Sequence, residues 1–148
     1  MSDKSVFTDD EWQALSEAPL LISMAMSVVG PHGPISMIKE STASAKAIAA
    51  PADHGAANEL IAEIIEVAKS KEARHDVKDH KASTLPAMVD TLLADLPAAS
   101  SALKKLPDDE AAGVRAWLAH IAVAIAAAAK GTSPEEQAVI DRITAIFA

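Results

Sequence analysis

The segment DDEAAGVRAWLAHIAVAIAAAAK, residues 108–130, is the longest stretch of this chain that is apolar on every side. If the segment is a helix, its bulky side chains recur at the spacing of one helical face. That face consists of Val114, Trp117, Leu118, Ile121, Ile125 and Ala128. The other side carries the small residues Ala112, Ala116, Ala119, Val123, Ala126 and Ala127. Because a helix that is apolar all round is normally buried, we expect a second helix to pack closely against the small side.

A membrane-spanning helix is the alternative interpretation of this segment. Residues 116–129 form an apolar run of only fourteen residues that contains His120, whereas a span needs about 20 apolar residues. Both ends are also typical of a helix that ends in water, with acidic residues at 108–110 and Lys130 followed by Gly131. The sequence therefore predicts a buried central helix and no transmembrane segment.

Composition bounds the fold class and the number of domains. A chain of 148 residues is the size of one domain, so we expect residues 1–148 to form a single unit after a tail at 1–7. Thirty-three alanines beside two phenylalanines and two tryptophans favour helices over strands.

Charge and cysteine content exclude several classes of function. A formal net charge of -8 argues against a nucleic-acid partner, because such proteins need clustered basic residues. The absence of cysteine excludes disulfides, thiolate nucleophiles and zinc-thiolate sites. Residues 1–10 are polar and acidic, unlike a secretion signal, so we expect a cytoplasmic protein.

The first helix has a recognisable start. Thr8 and Glu11 have the spacing of a capping box, in which each side chain bonds to the other residue's backbone, and Phe7 and Trp12 flank it as a hydrophobic staple. Pro19 lies within the helical pattern that follows, and we expect it to bend or break the helix.

The rest of the chain repeats helical periodicity and shows no strand pattern. Further helices are predicted at about 35–50, 58–69, 84–96, 98–106 and from Ser133 to the end, with Pro97 as an interruption. Residues 70–83 are either a surface loop or a solvated helix end. The predicted architecture is an all-α bundle of about six helices around a central alanine-rich helix at about 108–130.

The carboxy-terminal part of the chain resembles a known family. The sequence IAVAIAAAAKGTSPEEQAVIDRITAIF, residues 121–147, contains an alanine-rich helix, a glycine turn, an SxxE cap and a last amphipathic helix. This order is similar to that of the TerB-like helical proteins associated with tellurite resistance and stress operons. FTDDEWQALSEAP, residues 7–19, is a weaker copy. The resemblance implies a helical fold and a stress-associated role.

The chain departs from that family at its turns. The family usually carries an aspartate immediately before the glycine, and acidic residues near such turns are its proposed metal ligands. Here Lys130 precedes Gly131 and Val29 precedes Gly30, although Glu136 stands where the family has a glutamate. Since a hard cation requires several oxygen ligands, this departure weakens the metal site that the resemblance implies.

One run of residues has the chemistry of a metal site. If helical, it places His75 with Asp79 on one face and Asp76 with His80 on the next. Lysine and arginine side chains are interspersed through the run and disfavour a cation. The alternative interpretation, which the alternating charges favour, is a solvated stretch of surface.

The other histidines offer weaker candidates. His32 and His54 lie in Gly/Pro turns that could form a joint binding site with Glu40, although turn histidines are usually exposed and inert. His120 lies beside Trp117, where we expect a buried imidazole satisfied by a hydrogen bond.

The sequence thus predicts a binding function more readily than catalysis. It contains no GxSxG elbow and no glycine-rich phosphate loop. We predict a non-enzymatic helical binding or scaffold protein that needs no cofactor and acts through a protein partner or by self-association. The alternative is a helical protein that holds a divalent metal with histidine and carboxylate ligands. A third hypothesis is a small apolar ligand bound between the helices.

Overall fold

The computed structural model describes residues 4–29, 46, 48, 55–68, 85–128 and 133–148. Its helices are α1 (Asp9–Val29), α2 (Asn58–Ala68), α3 (Leu85–Leu93), α4 (Leu96–Leu103), α5 (Asp108–Ala128) and α6 (Pro134–Ile146). Short 3-10 helices at Lys4–Val6 and Gly55–Ala57 precede α1 and α2, and the described ranges contain no strand. The predicted all-α bundle is confirmed.

Helix α1 lies at the centre of the contacts between helices. It packs against α2, α3, α4, α5 and α6, whereas α5 packs mainly against α1, α6 and the 3-10 helix at Gly55–Ala57. The side chains of α1 with almost no exposure to solvent are Leu15, Ala18, Leu21, Ile22, Ala25 and Met26. The alanine-rich helix therefore shares the core with a second long helix, which contacts every other α-helix of the described ranges.

Pro19 does not break α1. The helix runs unbroken from Asp9 to Val29 with Pro19 inside it, so the predicted break is absent. The Ser23 hydroxyl donates to the Pro19 carbonyl oxygen at 2.9 Å. Proline removes one backbone hydrogen bond, and the buried residues on both sides of Pro19 hold the two halves of the helix in the core.

The predicted interruption of the helical pattern is present, but it lies at residues 94–95, two residues before Pro97. Helix α3 ends at Leu93, and α4 begins at Leu96 with Pro97 in its first turn. Proline is tolerated there because the first helical N–H groups have no partner within the helix.

The amino-terminal capping box and staple are confirmed. The backbone N–H of Thr8 donates to Glu11 Oε1 at 2.9 Å, and the backbone N–H of Glu11 donates to Thr8 Oγ1 at 3.2 Å. The rings of Phe7 and Trp12 stack with centroids 6.1 Å apart. Phe7 is buried, so residues 4–7, which the sequence placed in a tail, are part of the folded unit.

An ion pair links this first turn of α1 to the segment between α4 and α5. The Lys105 ammonium donates a hydrogen bond to the Glu11 carboxylate. That bond, together with the bond from the Thr8 backbone, lowers the pKa of Glu11 from 4.5 to about 2. The folded state thus favours the ionised carboxylate.

Only one side of α5 faces the core. The bulky residues Val114, Trp117, Leu118, Ile121 and Ile125 are buried as predicted. Of the small side, Ala112, Ala116, Val123 and Ala127 are exposed, Ala119 is half-buried and only Ala126 is buried. The expectation that another helix covers the small side is therefore wrong within the described residues.

We expect the stabilising effect of Glu11 to be lost in acid. Because its pKa is lowered on folding, the ionised carboxylate stabilises the protein fully above pH 4.5, and this contribution declines as the pH falls toward about 2. The difference in unfolding free energy between the wild type and Glu11→Gln should shrink across that window in urea denaturation. Asp10→Asn removes the same charge from the neighbouring position, and an equal pH dependence in both variants would contradict the ion-pair explanation.

The orientation of α5 can be tested with two neighbouring truncations. Ile121 is fully buried and Val123 is 50% exposed. We expect Ile121→Ala to lower the unfolding free energy by about 2–5 kcal/mol and Val123→Ala to change it by less than about 0.5 kcal/mol. Urea denaturation measures both. Similar losses for the two variants would show that the small side of α5 is covered in solution.

Candidate functional site

Most residues that the sequence singled out as ligands lie outside the described ranges. These are the candidate metal ligands His75, Asp76, Asp79 and His80, and the candidate binding residues His32, Glu40 and His54. They stay predictions, as does the choice between loop and helix at residues 70–83. Within the described ranges, no group of three His, Asp or Glu residues is placed to hold a metal ion.

The side of α5 that faces solvent is the most distinctive surface of the described residues. It consists of Ala112, Ala116, Ala119, His120, Val123 and Ala127, which we call the uncharged face. The apolar members, Ala112, Ala116, Ala119, Val123 and Ala127, follow one another at three- and four-residue spacing and form a stripe along the helix, and His120 lies at its side. From Ala112 to Ala127 the stripe is about 22 Å long, at 1.5 Å per residue.

Val123 is the most exposed point of this stripe. Its side chain is 50% exposed, and the one other large apolar side chain classed as exposed in the described ranges is Val6, at 37%. Val6 lies in the 3-10 helix before α1. The uncharged face therefore consists of alanine methyl groups with two larger side chains, His120 and Val123, near its middle.

The solvent-facing sides of most other helices carry charge. Exposed charged residues are Asp9 and Asp10 on α1, Glu59 and Glu66 on α2, Asp90 on α3, and Glu135, Asp141 and Arg142 on α6. Helix α4 exposes Pro97, Ala98 and Ser101, but it is only 8 residues long. On α5 the exposed charges, Asp108 and Asp109, lie at the amino end, and the half-buried Arg115 lies at the edge of the uncharged face.

His120 belongs to the uncharged face and not to the core. The sequence predicted a buried imidazole beside Trp117, but His120 is exposed, and that prediction is wrong. Each residue turns the helix by about 100°, so three residues turn it by about 300°. His120 therefore lies about 60° from Trp117 around the helix, measured in the opposite direction. That rotation carries the imidazole to the side of Ala116 and Val123.

One helix of the described residues is long and apolar enough to be compared with a membrane span. It covers Asp108–Ala127, and 56% of its most apolar window is buried inside the protein. The core helix of a water-soluble protein meets the same criterion, so the described residues contain no clear transmembrane segment. This agrees with the prediction, made from the sequence, of a buried helix and no transmembrane segment.

The second capping box lies at the start of α6. The backbone N–H of Ser133 donates to Glu136 Oε1 and the backbone N–H of Glu136 donates to Ser133 Oγ, both at 3.1 Å. Glu136 is fully buried, and its second oxygen, Oε2, has no hydrogen-bond partner. A buried carboxylate oxygen without a donor is unfavourable. Glu136 thus buries one carboxylate oxygen that the capping box does not use.

A second buried polar atom lies deeper in the core. Trp117 is 1% exposed and its indole Nε1 has no acceptor. Leaving a buried N–H unpaired costs about 1–3 kcal/mol, which the apolar contacts of the large ring offset. Trp117 thus contributes packing volume to the core rather than a polar contact.

The sequence predicted the capping box at Ser133 and Glu136 and most residues of the uncharged face, but it did not predict which of them are buried. The SxxE spacing identified the box at Ser133 and Glu136, yet local spacing carries no information about which neighbours cover the carboxylate. His120 was the available signal for the uncharged face, because a polar side chain on the small side of α5 indicates solvent there.

Comparison of the chain with protein families, curated proteins and solved structures finds no match.

Proposed function

We propose that this chain is a non-enzymatic helical binding protein that self-associates through the uncharged face of α5. The observation that carries the proposal is the exposure of Val123 and its neighbouring alanines along one uninterrupted helical stripe. Apolar surface of this kind gains free energy when it is removed from water, at roughly 25 cal/mol per Å².

A second copy of the same chain is the occupant that the charges favour. Each chain has a net charge of -8, so contact through most other helical surfaces would bring exposed carboxylates together. Contact between two uncharged faces buries mainly apolar surface and no carboxylate, and burial of an unpaired charge is costly. A symmetric pair also uses the same patch on both copies, as the commonest oligomers do.

We also propose that the chain belongs with the TerB-like helical proteins and has a stress-associated scaffold role in the cytoplasm. The order of a long alanine-rich helix and a capped last helix supports this, because α5, Ser133 and α6 follow one another along the chain. A scaffold requires a surface that binds a partner without catalysing a reaction, and we propose the uncharged face for this role.

Metal binding is a second candidate function, favoured by one specific observation. Glu136 Oε2 is buried without a hydrogen-bond donor, and a divalent cation would satisfy it. No further protein ligands accompany this oxygen within the described ranges, however, because no three metal-ligating residues there lie together. Hard cations take six or more oxygen ligands, so most of the coordination would have to come from water or from other parts of the chain.

The self-association is tested by adding one charge to the uncharged face. We expect the wild type to show a concentration-dependent rise above 15.3 kDa in size-exclusion chromatography with light scattering. Added salt should increase that rise, because it screens the repulsion between two acidic chains. Val123→Lys should remain monomeric, because self-association would bury its ammonium without a partner.

Ala138→Lys is the matched control for this experiment. Ala138 is exposed on α6, away from the uncharged face, so the variant changes the net charge equally and should associate like the wild type. Both substitutions are at exposed positions and should leave the thermal midpoint nearly unchanged. A wild type that stays at 15.3 kDa at every concentration would refute self-association.

The metal hypothesis is tested by thermal melting with and without divalent ions. If an ion binds the folded state, a concentration of 100 times its dissociation constant stabilises the protein by about 2.7 kcal/mol. Glu136→Gln should abolish this shift and keep the capping box, because glutamine also serves at this position. Metal-free purified protein with no shift for any ion would end this hypothesis.

A further inference from the structure

We infer that residues 4–7 form a strap that opens and closes while the helices of the bundle stay folded. The strap consists of the 3-10 helix Lys4–Val6 and of Phe7, and it ends where the capping box of α1 begins at Thr8. The three residues of the 3-10 helix are exposed, so Phe7 is the buried residue of the strap. Segments with little buried apolar surface are the ones that open locally in folded proteins. The inference does not depend on the proposed self-association.

The hydrogen bonds of the strap are accessible to water. The Lys4 backbone N–H donates to Glu63 Oε2 of α2 at 3.3 Å, and both residues are at least partly exposed. This bond joins the strap to α2 and is longer than the usual range of about 2.7–3.2 Å. The Phe7 N–H donates to the Lys4 carbonyl oxygen at 3.1 Å, which is a bond within the strap. Water replaces such bonds at little cost when the strap opens.

Phe7 is the anchor of the strap. Its side chain is 8% exposed, and its ring stacks on that of the half-buried Trp12 with centroids 6.1 Å apart. Burial of this ring and the two hydrogen bonds must offset the conformational entropy that four residues lose on ordering, and the opposing contributions are of the same order. The closed and open states of the strap therefore lie close in free energy, and the open state is far more populated than the unfolded protein.

Opening changes the surface at the start of α1. Phe7 leaves the core and uncovers the face of the Trp12 ring on which it stacks. The capping box of α1 and the ion pair between Glu11 and Lys105 lie outside the strap, so the first turn of α1 keeps its position when the strap is open. The strap thus controls the exposure of two aromatic rings at this end of the bundle.

Native-state hydrogen exchange, measured by NMR for single amides, tests this inference. The reporter is the Phe7 N–H within the strap, and the references are the N–H of Trp12, which donates to the Thr8 carbonyl oxygen at 2.9 Å, and that of the fully buried Ile121. After correction for intrinsic rates, we expect Phe7 to exchange about 100-fold or more faster than Ile121, with Trp12 slower than Phe7. Low concentrations of urea should leave the Phe7 rate unchanged, because local opening exposes little surface.

Two results would overturn the strap. If Phe7 and Ile121 have the same rate and the same urea dependence, residues 4–7 open only when the whole protein unfolds. If Trp12 exchanges as fast as Phe7, the first turn of α1 opens together with the strap.

A matched pair of variants on α2 tests what closes the strap. Glu63→Gln replaces the charged acceptor of the Lys4 N–H with a neutral one, and bonds to charged groups are the stronger kind. We expect the variant to speed exchange of the Phe7 amide by about threefold or more and to leave Ile121 unchanged. Glu59→Gln removes the same charge from an exposed position of α2 and should change neither rate. Equal acceleration by the two variants would refute the bond between Lys4 and Glu63 as the tie that closes the strap.

Discussion

The burial of α1 among five other helices is the constraint on which the rest of the structure depends. Leu15, Leu21, Ile22 and Met26 are each at most 1% exposed, and burying one such side chain stabilises a fold by about 1.5–3 kcal/mol. A proline inside a helix costs about 3 kcal/mol, which is less than the four side chains contribute together. This is why Pro19 is accommodated within α1 and does not end it.

The two capping boxes show how one local motif has different consequences in different surroundings. In both boxes a glutamate side chain and a serine or threonine side chain bond to each other's backbone, which fixes where α1 and α6 begin. Glu11 has access to Lys105, and the pair ties the start of α1 to the segment before α5. Glu136 is buried, and only its Oε1 accepts a hydrogen bond, whereas Oε2 has no partner. The first box thus extends into a tertiary contact, whereas the second leaves an unsatisfied atom in the interior.

Local chemistry in the sequence accounts for most of the fold, and tertiary packing accounts for what it could not predict. The capping spacings, the interruption near Pro97 and the face of α5 that enters the core follow from rules that act within a few residues. The continuity of α1 at Pro19 depends on which helix faces meet, and no local pattern contains that information. For the candidate site, the sequence supplied the members of the uncharged face, but it assigned them to the interior because apolar character alone was taken to mean burial.

Alanine explains why that inference fails for α5. Alanine is the best helix former, and its single methyl group exposes little apolar area, so a stripe of alanines can face water at small cost. Apolar residues at every position therefore do not require that every side of the helix be covered. The same small side chains that make the uncharged face tolerable in a monomer also limit the area that a second copy can bury against it. The proposed self-association would therefore be reversible and would respond to protein concentration, because the small area of the face gives little free energy for pairing.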